Sequence, residues 1–299
     1  MVRDITDISH PKTVSTAVFG SSDAIFVTAT EVSYPDAGNN LVRQTFTGQP
    51  TVVVKSLNLA LAAEGLFDWS PDGTTAVYVT TTSGTEVRQV SGGQTRLLGT
   101  VPAFPGVFGC ETQSCADGLD WRLAYSRDGR YVSWVQTLND PVIHLWASDG
   151  TLLKNVRSVG GMSVWSGGKL YFRVAGGVDV WQDGVVSSFL PGVAWIRPKG
   201  SPGGGQIVYE SRDAQGWSHT YVVDTITRRV REIKKARQAP VFLTSRYIWY
   251  EGERSCVPSD SCIDTQVTAS GKTYIYDLHD GTEAESIITS VFDVWPHAA

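Results

Sequence analysis

The chain has 299 residues, a formal charge of −5, 30 glycines and 10 tryptophans. The acidic balance argues against nucleic acid as the main partner, because such binders carry a basic footprint. No apolar stretch is long enough to span a membrane, no secretory leader follows Met1, and no long window combines a helical period with caps.

Six times an apolar run, a Ser/Gly/Asp turn and a second apolar run recur, about 45 residues apart. The turns centre on Ser21, Ser70, Ser126, Ser166, Ser201 and Ser245. The first unit is the weakest, with Ala17-Val18-Phe19 before the turn and Ala24-Ile25-Phe26-Val27 after it. The second is the clearest: Phe67-Asp68-Trp69, then Ser70-Pro71-Asp72-Gly73, then Ala76-Val77-Tyr78-Val79. The third repeats it as Leu123-Ala124-Tyr125, Ser126-Arg127-Asp128-Gly129 and Tyr131-Val132-Ser133-Trp134-Val135. Asp-Gly and Gly-Gly between β-branched and aromatic runs mark hairpins, since glycine accepts the positive φ of such turns.

Each unit also closes with a hairpin, as at Ser148-Asp149-Gly150, Asp183-Gly184 and Asp280-Gly281. Four strands per unit and six units predict an all-β, six-bladed β-propeller with four-stranded antiparallel blades. One domain is expected over 1–299. Its blades fall near 13–57, 63–100, 119–157, 160–190, 193–235 and 238–290. Met1 to Ile8 alternates like an extra strand and Ile288 to Trp295 follows the last hairpin, so the ends are expected to close the ring. Leu57 to Leu66 reads as a short helix or an extended connection.

An aromatic-Ser-Pro-Asp-Gly turn followed by apolar residues, as at Trp69 to Val79, resembles the repeat of TolB-like propellers. Leu123 to Val135 is similar, and the segment from Arg246 to His297 resembles bacterial extracytoplasmic proteins of this type. The match covers nearly the whole chain as a blade signature and leaves no stretch for the extra N-terminal domain of TolB. It implies the fold and transfers no activity.

Cys110 with Cys115 and Cys256 with Cys262 form two close pairs in polar, turn-rich loops. Such spacings favour small disulfide loops in an oxidising compartment over zinc, whose paired cysteines prefer two-residue spacing. The chain therefore reads as extracytoplasmic, secreted, at the cell surface or periplasmic, and as a mature or trimmed ectodomain of a secreted or membrane-anchored protein.

The d-to-a and b-to-c connections of a propeller emerge on one face. The longer connections, from Thr30 to Asn40, Gly99 to Gly118, Ser211 to Ser218 and Gly252 to Gly271, all fall there. Binding residues expected at that rim are Tyr34, Phe108, Trp121 and Trp217. No Gly-x-Ser-x-Gly elbow, His-Glu-x-x-His or P-loop occurs. The five histidines do not cluster, and the basic run from Arg228 to Arg237 reads as a solvated outer strand, with a patch for anionic surfaces as the alternative.

Asp68, Asp120, Arg122, Arg197 and Asp293 lie on or beside the innermost strands, facing the channel. Two readings follow. The first is a non-catalytic module for a protein or small-molecule ligand, in which these residues tie blades together. The alternative is a calcium-dependent hydrolase of lactonase or esterase type, although the carboxylates lack an Asn or Glu set beside them.

Overall fold

The computed structural model describes residues 2–8, 10–15, 24–57, 66–80, 85–101, 123–135, 142–160, 162–255, 267–291 and 293–295. A two-stranded sheet comes first, β1 (Val2–Asp4) with β2 (Lys12–Ser15). Six four-stranded antiparallel sheets follow, each drawn from one continuous stretch of chain.

Blade 1 is β3 (Ile25–Thr28), β4 (Glu31–Pro35), β5 (Leu41–Thr45) and β6 (Thr51–Val54). Blade 2 is β7 (Phe67–Trp69), β8 (Thr75–Thr80), β9 (Thr85–Ser91) and β10 (Gln94–Val101). Blade 3 is β11 (Ala124–Tyr125), β12 (Tyr131–Val135), β13 (Val142–Ala147) and β14 (Leu152–Arg157). Blade 4 is β15 (Ser163–Ser166), β16 (Lys169–Val174), β17 (Gly177–Gln182) and β18 (Val185–Pro191). Blade 5 is β19 (Ile196–Gly200), β20 (Gln206–Arg212), β21 (Ser218–Asp224) and β22 (Val230–Lys235). Blade 6 is β23 (Arg237–Phe242), β24 (Tyr247–Ser255), β25 (Val267–Asp277) and β26 (Glu283–Glu285). No helix occurs among the described residues.

Five of the six predicted turns sit between strands a and b of their blades; the first does not. Blade 1 turns at Ala29 and Thr30, one hairpin later than Ser21 suggested, and residues 16–23 lie outside the described residues. The shift moves Ile25-Phe26-Val27 from the second strand to the first. Residues 58–65 of the helix-or-connection segment also lie outside.

The core is a set of wedges between consecutive blades. Val27 and Leu41 of blade 1 share a cluster with Trp69 and Tyr78 of blade 2. Val77 and Val87 meet Tyr125 and Trp146 across the next junction. Trp165 and Trp181 of blade 4 pack with Ile143 and Leu145 of blade 3. Trp134, Trp146, Trp181 and Trp195 are all at most 2% exposed. Large aromatics suit these wedges because each buries much apolar area in one rigid unit.

The a–b hairpin tips of blades 2, 4 and 5 lean on the preceding blade. Arg43 Nη1 of blade 1 donates to Gly73 O (2.8 Å), Arg127 N of blade 3 to Gly167 O (3.2 Å), and Ser166 Oγ of blade 4 to Gly204 O (2.5 Å). Gly73 has φ +65°, and a Cβ there would lie 2.9 Å from Val27 O, so this tip requires glycine.

The ends meet, but not as an added blade strand. β1 pairs with β2 rather than with a blade edge. Ile5 and Ile8 pack with Leu243, Trp249 and Ile288 of the blade 6 side, joined by Val291 and Val294. On the other side, Asp293 Oδ2 accepts the Phe26 N–H of β3 at 2.7 Å. The termini thus fill the space between blades 6 and 1 as a rudimentary wedge.

The connections on the long-loop face also differ from expectation. In blade 1 the b–c link is only residues 36–40, and in blade 5 it is a tight turn from Asp213 to Trp217, with Trp217 N donating to Asp213 Oδ1 at 2.9 Å. In blade 6 the strands run on as a ribbon to Ser255 and from Val267, where Ser255 faces Val267.

Candidate functional site

The tight-turn face carries an open groove of about 520 Å³ between blades 2 and 3. One wall is the hairpin Ser70–Thr75 and the other is Arg127 to Gly129. The floor is Gln89 and Tyr125, and the outer end is closed by Ser91, Arg96 and Ser148. This volume falls within the roughly 300–1,000 Å³ of small-ligand sites.

The walls are rigid because their turns are self-capped. Asp72 Oδ1 accepts from Ser70 Oγ (2.5 Å), Thr74 N (3.1 Å) and Thr74 Oγ1 (2.9 Å). These bonds, led by Ser70, hold the Asp72 carboxyl below the ordinary carboxylate range. Asp128 makes the same turn with Ser126 Oγ (2.6 Å) and pairs with Arg130 Nε (2.6 Å). Burial works against its ionised form, but the Ser126 and Arg130 bonds prevail and its pKa is lowered. On the floor, Gln89 Nε2 donates to Tyr125 Oη at 2.7 Å, and burial pushes that phenol up to about 12.

A neighbouring junction explains why the groove is open. In blade 3 the first residue of strand b is Tyr131, which stacks on Trp165 at 6.0 Å and donates from Oη to Asp183 at 2.6 Å. That ring fills the junction between blades 3 and 4. The equivalent residue of blade 2 is Thr75, also paired back to its turn serine, and the small side chain leaves space.

Two of the channel candidates, Asp68 and Asp293, tie neighbouring elements of the ring, and Arg197 is held within its own blade. Asp68 Oδ2 accepts the Tyr125 N–H at 2.8 Å, linking blade 2 to blade 3 as Asp293 links the terminal wedge to blade 1. Arg197 has φ +47° and reaches Glu210 Oε2 at 3.4 Å. Asp120 and Arg122 lie outside the described residues. No group of three or more His, Cys, Asp or Glu is placed to hold a metal among the described residues.

The rim aromatics divide similarly. Tyr34 is 5% exposed in a cluster with Val32 and Val42 and donates to Gln44, so it is not a surface residue. Trp217 is half-buried. Phe108, Trp121, Cys110, Cys115, Cys256 and Cys262 lie outside the described residues.

Sequence reasoning missed three features. Glu210 is fully buried: Ser218 Oγ (2.8 Å) donates to its Oε1 and Ala239 N (3.1 Å) to its Oε2. A charge ending the apolar run Ile207-Val208-Tyr209 was the available signal. Arg96 stands opposite Gln89, which is visible only once the β9–β10 register is known. His219 sits between Asp213 Oδ2 (3.1 Å) and Glu232 Oε1 (2.8 Å), and Lys235 Nζ also reaches Asp213 (2.9 Å).

Burial disfavours the charged His219 ring, yet its two carboxylate partners outweigh burial and raise its pKa. A raised folded-state value adds stability below the ordinary histidine pKa of about 6.5, and that contribution is lost as pH rises through the folded value. Thermal melts from pH 5.5 to 8.5 should show this decline, and His219→Gln should flatten it. Equal slopes for both proteins would refute the assignment.

No protein-family model and no curated protein sequence matches the chain. Solved structures do. The β-propeller domain of the Trilobed protease from Pyrococcus furiosus, described as having an open velcro topology, aligns with TM-score 0.56 and 11% identity over 88% of this chain and 83% of that one. The fold is a β-propeller.

An oligogalacturonate lyase in complex with manganese aligns with TM-score 0.55 and 13% identity, covering 85% of this propeller and 73% of the lyase. TolB from Acinetobacter baumannii aligns with TM-score 0.46 and 14% identity, and the propeller covers 64% of its length. Neighbours thus include lyases and proteases as well as TolB, and at these identities the likeness concerns architecture alone. No helix among the described residues is long and apolar enough to cross a membrane.

Proposed function

We propose that this propeller is an extracytoplasmic, non-catalytic binding module that takes a polar ligand, a small molecule or a segment of protein, in the groove between blades 2 and 3. The observation that carries the reading is a preformed, self-capped groove whose lining has no nucleophile–base pair. Ser70 on its wall and Ser126 next to it in sequence donate to their own turn aspartates, and no histidine is among the described lining residues. The blade signature and the two close cysteine pairs support an oxidising compartment. Tyr34 is buried and Trp217 half-buried, so the groove is better founded as the binding place than the opposite rim.

Thr75→Tyr tests this directly, because blade 3 shows what a tyrosine does at that position. Amide shift mapping with short peptides, uronate oligomers and nucleotides should move Ser70–Thr75 and residues 127–129 for at least one class, with no turnover. The variant should abolish those shifts while keeping the melting temperature within about 2 °C, as expected for a surface change away from packing defects. Turnover of a probe, or shifts confined to the Trp217 face, would overturn the proposal.

A further inference from the structure

The outer end of the groove has a chemistry of its own. Arg96, on the outermost strand of blade 2, is exposed but fixed. Its Nη1 donates to Asp149 O, and its Nη2 to Gln89 Oε1 and to Ser148 O (2.7 Å). All three acceptors are neutral. The guanidinium is therefore pre-oriented with no carboxylate of the described residues at ion-pair distance, unlike Arg43, Arg88, Arg130, Arg237 and Arg246, although Asp149 lies near enough to feel its charge. A fixed, exposed guanidinium at the closed end of a groove is suited to receive an oxyanion, since its ordering precedes binding.

We propose that Arg96 anchors a single carboxylate at the rim end of the groove, so that the ligand is a small acid or a peptide end lying along it. The inference rests on the groove being the binding site. Donor number selects the carboxylate: three of the five guanidinium N–H groups are spent on Asp149 O, Gln89 Oε1 and Ser148 O, and the two that remain suit an anion with two oxygens better than a phosphate with more. Asp72 and Asp128 stand on the walls and Asp149 beside Arg96. A ligand's charge scales its attraction to Arg96 and its repulsion from those carboxylates alike, so charge number favours neither anion. Ser70, Thr74, Thr75 and Ser91 line the way with hydroxyls for amide groups. Tyr125, the aromatic residue of the lining, is 2% exposed, so its ring is not available for a sugar or base to stack on.

The experiment compares three probes by calorimetry and amide shifts: a blocked tri-alanine peptide ending in a carboxylate, the same peptide ending in an amide, and inorganic phosphate. The carboxylate form should bind about tenfold tighter than the amide, and the preference should shrink as salt rises. Arg96→Gln should remove the preference. That change also removes the clip to Ser148 and Asp149, so Ser91→Asp serves as the second variant. It leaves the clip intact, keeps the melting temperature, and should erase the preference by repulsion. Equal binding of carboxylate and amide, tighter phosphate, or an unaffected Ser91→Asp protein would overturn the anchor. If the amide peptide still shifts Ser70–Thr75, the groove reading survives that loss; if neither peptide shifts those residues, both fall.

Discussion

Truncation after Glu285 should unfold the protein or lower its stability by more than about 5 kcal/mol. The removed segment contains Ile288, which is 7% exposed and accepts from Trp249 Nε1 (2.8 Å) and Thr273 Oγ1 (2.7 Å) through its carbonyl. Loss of a buried isoleucine costs about 2–5 kcal/mol, and loss of the charged bond from Asp293 to Phe26 N about 1.5–3. Val291 and Val294 go as well, which uncovers Leu243 and Trp249. Hydrogen exchange separates the parts. Asp293→Ala should accelerate the Phe26 amide and spare Tyr125, while Asp68→Ala should do the reverse. A truncated protein that melts like the full chain would show that the terminal wedge does not hold blades 6 and 1 together.

Glu210→Ala should cost roughly 3–5 kcal/mol, the range for removing one partner of a buried charged network. The carboxylate is fully buried and joins two blades at bulges where Arg197 and Ala239 have φ +47° and +50°. Each such residue stores about 1–3 kcal/mol of backbone strain, which the bonds to Glu210 offset. Without it, Ala239 N and Ser218 Oγ lose this acceptor, and Arg197 and Arg212 each lose an ion-pair partner. Glu210→Gln keeps an acceptor and should recover about half. Glu251→Ala, at a half-buried residue that Gln238 bonds, is the control and should stay within about 1 kcal/mol. Chemical denaturation of the three variants gives the ranking, and a Glu210→Ala loss as small as the control's would remove the strain argument.

How far the sequence reached depends on how local each signal was. The Ser-x-Asp-Gly hairpins were legible because turn chemistry and strand propensity sit in adjacent residues. Blade 1 misled because Ala29 and Thr30 form a turn without glycine, proline or aspartate, while Gly20-Ser21-Ser22-Asp23 has the stronger local composition. Tyr34 reads as a rim aromatic for the same reason; one hairpin's displacement moves it from a loop into β4. The groove was not legible at all. It arises from Thr75 differing from Tyr131 across a junction that the sequence does not display, and from Arg96 finding carbonyls 52 and 53 residues away. The roles of Asp68 and Asp293 were half-visible: their place on the inner strands could be read, but not that each would accept the next blade's peptide N–H.

The leaning of the hairpin tips of blades 2, 4 and 5 onto the blade before them gives assembly a direction. Arg43 waits for Gly73, Arg127 for Gly167 and Ser166 for Gly204, always an earlier residue receiving a later one. A chain emerging N-terminus first can therefore dock each blade on one already complete, with mostly short-range contacts and little exposed edge at any moment. The exception is the bond from Asp293 to Phe26, which spans 267 residues. Until Asp293 is delivered, Phe26 of blade 1 lacks that acceptor, so the vulnerable interval during synthesis spans the time between the first blade and that residue.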